Sequence, residues 1–325
     1  MMRDSYGRVI DYLRLSVTDR CNLRCRYCMP NHGVELLRHD QVLRNEEMTR
    51  LCGILVSLGI SKIKITGGEP LARKGVPELI RRLKALPGLE AITLTTNGAL
   101  LAARLERLIS AGVAGVNVSL DTLDRATFLA LTGVDALPQA LDGIARAVDS
   151  GIPLKLNCVP IEGVNEEDLT RLAALARDQE LAVRFIELMP IGLGQREKGI
   201  APAEVKRRLE EAFGPLRPWE GRLGNGPAVY YQLAGFRGKI GFIPAVSHGF
   251  CDSCDRIRLT ADGYLKLCLA RDTGVDLKGP LRAGASDGEL AAAILAAIEK
   301  KPRRHGFGQA EVEDKNSRDM HKIGG

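Results

Sequence analysis

The chain has 325 residues, of which 45% are hydrophobic and 4% aromatic, with a net charge of +6. That length supports one large domain or two with an ample core. Scarce aromatics and a mild positive charge speak against nucleic-acid binding and fit an anionic small ligand.

Charged residues begin at Arg3 and no run of about 18 apolar residues occurs, so neither a secretory leader nor a membrane span is expected. Eight cysteines in a chain of this length do not make a disulfide framework. They point to metal chemistry in a reducing compartment, and the sequence reads as a soluble cytoplasmic protein. Residues 10–17 alternate and suit a strand. A helix is expected over 45–58 with Asn45 as its N-cap. Strands near 62–66, 90–95, 114–119, 153–159 and 182–187 then alternate with helices near 76–86, 100–111, 125–149, 166–179 and 199–213. Repeated strand–helix steps mean a parallel sheet with right-handed crossovers. Six strands suit a doubly wound sheet or a partial (β/α) barrel, and periodicity does not separate the two. Pro215, Pro218, Gly221, Gly224, Gly226 and Pro227 mark a boundary, giving expected units of 1–214 and 215–325. The second unit reads as a smaller α+β region with strands at 229–233, 239–243 and 257–267 and a helix at 287–300. By composition, 302–325 is a frayed tail ending Gly324-Gly325.

The chemistry begins after the first strand. Cys21, Cys25 and Cys28 follow a C-x3-C-x2-C spacing within one short loop, so their thiols can converge on one inorganic centre. Such a set suits an iron–sulfur cluster or zinc. A closed zinc site wants a fourth ligand, for which His32 is the candidate. Three thiolates on a four-iron cluster leave one iron open. Arg20, Arg24 and Arg26 are expected to lower the thiol pKa values. A second triplet, Cys251, Cys254 and Cys268, has the same two readings, with His248 as the zinc alternative. Cys52 and Cys158 read as small core residues.

Polar residues and glycines collect at the strand ends: Thr66-Gly67-Gly68-Glu69-Pro70, Thr95-Thr96-Asn97-Gly98, Ser119-Leu120-Asp121, Asn157 and Glu187-Leu188-Met189-Pro190. Parallel α/β folds place their sites at these carboxyl ends. Cations occupy the strands themselves. Arg14, Lys62, Lys64, Lys155 and Arg184 either face outward, pair with carboxylates, or share a cavity that needs an anion such as a polyphosphate.

These motifs together resemble the GTP 3′,8-cyclase family, radical S-adenosylmethionine (SAM) enzymes of molybdenum cofactor biosynthesis. The resemblance rests on Leu-Arg-Leu-Ser-Val-Thr-Asp-Arg-Cys at 13–21, Gly-Gly-Glu-Pro at 67–70, Arg-Phe-Ile-Glu-Leu-Met-Pro at 184–190, the second cysteine triplet with Arg256 and Arg258, and the terminal Gly-Gly. It implies an α/β fold, an incomplete (β/α)6 barrel whose open side is covered by a C-terminal α+β region. It implies two [4Fe–4S] clusters, held by Cys21, Cys25 and Cys28 and by Cys251, Cys254 and Cys268. By the same resemblance Tyr27, Gly68, Ser119 and Met189 contact SAM, while Arg14, Lys64, Thr95, Lys155, Arg184, Arg256, Ile257 and Arg258 bind GTP. Arg14, Arg256, Arg258, Gly324 and Gly325 would serve the reaction directly. Lys64 departs from the arginine usual there and lacks its bidentate fork. The implied reaction is abstraction of the ribose 3′ hydrogen of GTP and closure onto C8 of guanine, giving 3′,8-cyclo-7,8-dihydro-GTP. Implied partners are an external one-electron donor and cyclic pyranopterin monophosphate synthase as the next enzyme. A homodimer is left open, and neither nucleic acid nor membrane is expected. Competing readings are a peptide-modifying radical SAM enzyme with an auxiliary cluster, or a zinc- or nucleic-acid-binding protein.

Overall fold

The computed structural model describes residues 1–30, 34–221, 223–307, 316 and 318–324. Its strands are β1 (Tyr12–Ser16), β2 (Lys62–Thr66), β3 (Ala91–Thr96), β4 (Val116–Ser119), β5 (Leu154–Cys158), β6 (Ala182–Ile186), β7 (Arg217–Trp219), β8 (Val229–Gln232), β9 (Lys239–Ile243), β10 (Arg256–Leu259), β11 (Tyr264–Lys266) and β12 (Gly274–Asp276). Its helices are α1 (Asn45–Ser57), α2 (Val76–Lys84), α3 (Leu105–Ala111), α4 (Arg125–Thr132), α5 (Leu137–Asp149), α6 (Leu169–Asp178), α7 (Pro202–Phe213), α8 (Lys278–Arg282), α9 (Asp287–Ile298) and α10 (Met320–Ile323).

The first six strands lie in sequence order within one 12-stranded sheet, each parallel to its predecessor. Strand order never reverses among them, so the crossovers need not change side. That decides for the incomplete barrel over the doubly wound sheet. Side chains alternate across the strands. Leu13, Leu15, Ile63 and Ile65 join an apolar core with Met48, Leu51 and Leu55 of α1. The intervening Arg14, Lys64, Asn117, Asn157 and Arg184 line a single cavity on the other face. Closed (β/α)8 barrels fill that space with branched apolar side chains. Here the inner positions are polar, and the sheet curls around a chamber.

An open arc of strands has two unpaired edges. The C-terminal region supplies both missing neighbours: β10 joins β1 and β9 joins β6, each in parallel. β11 and β12 extend one side, and β8 and β7 the other, as antiparallel pairs. The C-terminal strands are thus built into the same sheet as the barrel.

Several boundaries differ from the sequence expectation. The 125–149 helix is two helices, because Gly133 ends α4 at φ 69° with its N–H on the Leu129 carbonyl. Residues 100–104 form turns ahead of α3. Arg44, not Asn45, caps α1, its N–H held by the Glu47 carboxylate at 2.7 Å. Asn45 instead accepts from Arg73 Nη2 at 2.8 Å. The 257–267 strand is a hairpin, since Thr260 Oγ1 bonds Asp262 and Tyr264 and turns the chain. Residues 217–219, expected as linker, are an edge strand, a position that tolerates Pro218. Cys52 and Cys158 are core residues, 0% and 1% exposed. Among the described residues no helix is long and apolar enough to cross a membrane.

Candidate active site

β1 delivers the chain into the loop carrying Cys21, Cys25 and Cys28, and all three line the cavity, which encloses about 290 Å³. The Leu23 N–H meets Cys21 Sγ at 3.4 Å, and the N–H groups of Cys28 and Met29 close on the Cys25 carbonyl at 2.8 and 2.9 Å. Arg24 and Arg26 donate their backbone N–H groups to the Thr132 and Leu131 carbonyls at 2.7 and 2.9 Å. On the other side, the N–H groups of Gly68 and Glu69 reach the Thr18 and Arg20 carbonyls at 2.6 and 2.8 Å. A Cβ at Gly68 would collide with the Arg20 carbonyl, so glycine is needed there for the loop's own backbone to pass. The Glu69 carboxylate, 1% exposed, accepts from Leu71 N–H, Thr96 Oγ1 and Asn97 N–H at 2.9, 2.8 and 2.7 Å. Burial nevertheless raises its pKa to about 7.

The expected lowering of the thiol pKa values in this loop is not found. Burial pushes Cys28 up to about 12 and raises Cys21 and Cys25. Arg26 is drawn off to Glu197 at 2.7 Å, and Arg24 donates to the Cys21 and Leu23 carbonyls at 2.6 and 2.9 Å. A ligating thiolate here requires the charge of the metal itself. His32 lies outside the described residues.

Tyr27, Gly68, Ser119 and Met189 all line the cavity. Tyr27 is fixed by donating its hydroxyl to Asp121 Oδ2 at 2.6 Å. Asp121 in turn accepts the Val159 N–H at 2.8 Å, tying the end of β4 to that of β5.

The cations form a row across the sheet. Register places Arg14 between Arg258 on β10 and Lys64 on β2, about 4.8 Å away on either side. Arg14, Lys64, Arg184, Arg256 and Arg258 face the cavity, as do Thr95 and Asn117. Burial depresses the pKa of Lys64 and Arg258 well below the ordinary values, and neighbouring cations add to the effect. Arg256 pairs with Asp255 at 2.8 Å and stacks on Phe250, Arg184 Nε donates to Asn157 Oδ1 at 2.9 Å, and Lys62 pairs with Asp11 at 2.7 Å. Lys64 is 9% exposed and has no hydrogen bond or ion pair with any described residue. An ammonium so placed is costly without an anion. Lys155 is off the cavity wall, beside Gly224, with its pKa lowered to about 8 by burial and by Arg184. Ile257 points to the opposite face from its arginine neighbours and is buried in the core, so its side chain does not reach the cavity.

Cys251 opens a 3-10 turn ahead of β10, Cys254 ends it, and Cys268 follows β11. Burial raises the pKa of Cys251, and the charges of Cys268 and Cys254 add to the effect. The three cysteines sit off the cavity wall, adjacent in sequence to wall residues Phe250 and Leu269. Burial opposes ionisation of Cys254, yet Lys301, Arg256 and the Arg256 N–H together lower its pKa. His248 is exposed and meets Ser247 Oγ at 3.3 Å. His305 reaches the triplet through its backbone N–H, which bonds Cys251, while its ring Nδ1 accepts the Phe307 N–H at 2.9 Å. Among the described residues, no three His, Cys, Asp or Glu side chains are arranged to hold a metal ion.

The tail is seated where described, contrary to its composition. Asn316 N–H bonds the Ala270 carbonyl at 2.9 Å, and Arg318 pairs with Asp262 at 3.2 Å. Ile323 is 1% exposed. The Gly324 carbonyl accepts from Arg258 Nη1 at 2.6 Å and Arg14 Nη2 at 3.4 Å. Gly324 has φ 75°, and a Cβ there would strike Thr66 Oγ1. Gly325 lies outside the described residues. Tyr12, Met320 and His321 also line the cavity and were not foreseen. Tyr12 had a signal, since it shares a strand face with Arg14. The tail residues had none.

Residues 15–176 match the Radical SAM superfamily, and residues 181–307 match the family described as Molybdenum Cofactor Synthesis C. Relatives named GTP 3′,8-cyclase are 46% identical in Moorella thermoacetica, 47% in Pelotomaculum thermopropionicum and 40% in Clostridium perfringens, each over 100% of both chains. Among solved structures, Streptococcus suis SuiB superposes with a TM-score of 0.61 at 15% identity, covering 94% of this chain and 69% of that one. At that identity SuiB supports the fold alone. With full-length relatives at this level of identity, the chain belongs to the GTP 3′,8-cyclase family of the radical SAM superfamily.

Proposed function

We propose that the chain converts GTP to 3′,8-cyclo-7,8-dihydro-GTP in molybdenum cofactor biosynthesis. The observation that carries this reading is the buried Lys64, without a hydrogen bond or ion pair among the described residues, facing the same cavity as the Cys21, Cys25 and Cys28 thiols. A radical source and an anion site thus share one chamber. Cys21, Cys25 and Cys28 would hold one [4Fe–4S] cluster, and Cys251, Cys254 and Cys268 a second. In support, the charges of Cys28 and Cys21 both act on Cys25, and those of Cys268 and Cys254 both act on Cys251. Mononuclear zinc closes with a fourth ligand, and the exposed His248 has Ser247 Oγ as its hydrogen-bond neighbour. When bound, the first cluster and SAM supply hydrogen-atom abstraction from the ribose.

The residues of the chain do the rest by positioning. Tyr27, Gly68, Ser119 and Met189 form the SAM wall. Arg14, Lys64, Arg184, Arg256 and Arg258 hold the nucleotide through its charge, with Lys155 and Thr95 alongside and Ile257 contributing backbone only. The Gly324 carbonyl engages the guanidiniums of Arg258 and Arg14, and Gly324 and Gly325 would serve the reaction directly. An external donor supplies the electron in the cytoplasm, and the product passes to cyclic pyranopterin monophosphate synthase. The division into 1–214 and 215–325 assigns the SAM cluster to the first part and the second cluster to the other.

The test is anaerobic incubation with SAM, dithionite and GTP. The hydrogen lost from C3′ is replaced by an electron and a proton, so the product is isomeric with GTP and must be separated by chromatography before mass analysis. Cyclised nucleotide with 5′-deoxyadenosine and methionine is expected. SAM cleavage with GTP recovered intact contradicts the reading.

A further inference from the structure

His321 sits in the cavity wall, 1% exposed, on α10. Its Nδ1 faces the Cys28 carbonyl at 3.4 Å. A carbonyl only accepts, so Nδ1 carries the proton, and in that tautomer of the ring Nε2 presents a lone pair. Nε2 is buried and has no hydrogen-bond partner among the described residues. Buried polar atoms in native proteins are almost always satisfied, so this acceptor points to a donor that arrives with a ligand.

The position narrows the donor. Within four residues the tail touches the cysteine loop through His321 and the cation row through Gly324. A nucleotide whose phosphates lie on that row and whose sugar must face the cysteine loop has its ribose at the level between them. Ribose hydroxyls are donors at that level.

We propose that His321 is a positioning residue whose Nε2 accepts a hydrogen bond from a ribose hydroxyl of the bound nucleotide. This rests on the reading that the cavity takes GTP and SAM. The adenosyl ribose of SAM offers the same chemistry, and the test separates the two sources. Tail seating and sugar orientation are then coupled, because one ring bonds both the cysteine loop and the substrate.

The test uses the full chain, anaerobic and with iron content matched. Affinities for GTP, 2′-deoxy-GTP, 3′-deoxy-GTP and SAM are measured for the unaltered protein, His321→Phe and His321→Gln. Phe keeps the ring shape and removes both bonds, whereas Gln can donate and accept in their place. His321→Phe should weaken GTP about three- to tenfold, the range of one neutral hydrogen bond, and His321→Gln should recover most of it. One deoxy analogue should bind the unaltered protein and the Phe variant equally, which a purely structural role would not produce. A loss for SAM in place of GTP supports the proposal with the adenosyl ribose as donor. Unchanged affinities throughout, or equal losses for GTP and both deoxy analogues, overturn it. If His321→Phe does not fold, the unaltered protein and His321→Ala, which also removes both bonds, still decide: equal affinity of the unaltered protein for GTP and both deoxy analogues, with SAM unaffected by His321→Ala, contradicts the proposal. No GTP binding by the unaltered protein overturns the functional reading itself, and the inference with it.

Discussion

The two cysteine triplets differ in where they stand relative to the chamber. Cys21, Cys25 and Cys28 form part of its wall, in a loop clamped by the Gly68–Glu69 backbone on one side and by the end of α4 on the other. Burial dominates there and holds the thiols up. The second triplet stands behind the wall, where β10 enters the sheet, and at Cys254 the charges of Lys301 and Arg256 together with the Arg256 N–H outweigh burial. The difference is one of position. The first loop is part of the chamber wall, and the second triplet lies beside the strand that brings Arg256 and Arg258 to it. On the proposed function, this makes a division of labour.

That division is open to direct attack. The largest effect is expected from Cys25→Ala, which should remove about four irons per chain and abolish SAM cleavage, read as 5′-deoxyadenosine formed. Cys254→Ala should lose a similar amount of iron yet keep part of the SAM cleavage while cyclisation stops. If Cys254→Ala loses both activities in step, the two triplets are not separable. Recovery of about one zinc per chain in place of the second set of irons would contradict the second cluster outright.

The next effect concerns the tail that joins the two regions. Gly324→Ala adds a Cβ where Thr66 Oγ1 sits and strains a positive φ. Cyclised product should fall strongly, with SAM binding and iron content unchanged. Deletion of Gly324 and Gly325 should act likewise, and a bulky tag after Gly325 should do more harm than one before Met1. Full product from the truncated chain would make the tail dispensable.

A smaller effect separates anion binding from structure. Arg184→Ala or Lys155→Ala should weaken GTP about ten- to a hundredfold, the range for one charge-assisted contact, while guanosine binding changes little. Equal losses for both ligands would assign these residues to the fold. The smallest effect belongs to the clamp. The Glu69 carboxyl, with pKa about 7 folded against 4.5 unfolded, keeps its proton to higher pH in the native chain. The folded state therefore binds more protons between these values, and this group's contribution makes stability fall as pH rises through them. Glu69→Gln should flatten the melting temperature against pH over that window, and an unaltered slope would show that Glu69 is not its source.

Much of this was legible in local sequence. Period-two alternation gave the inner and outer faces of β1 and β2, and strand–helix repetition gave the parallel order. The triplets and the cations on strand faces were visible as residue types at spacings. What escaped depends on partners distant in the chain. The tail is held by Asp262, Cys28 and Arg258, which its polar composition does not announce. Arginines beside cysteines are a local fact, but burial of the thiols is a tertiary one, and burial won. β7 was hidden because Pro218 reads as a breaker until the strand is known to lie at an edge. The C-terminal strands looked like a second body because nothing local reveals that β9 and β10 complete the edges of the first.

The central claim is that one chamber holds the radical source and the GTP ribose together. The direct measurement is anaerobic turnover with GTP deuterated at C3′, followed by mass analysis of the 5′-deoxyadenosine. The account predicts deuterium in the 5′-deoxyadenosine, accompanied by cyclised nucleotide lacking deuterium at C3′. Undeuterated 5′-deoxyadenosine with the label retained in GTP would contradict it.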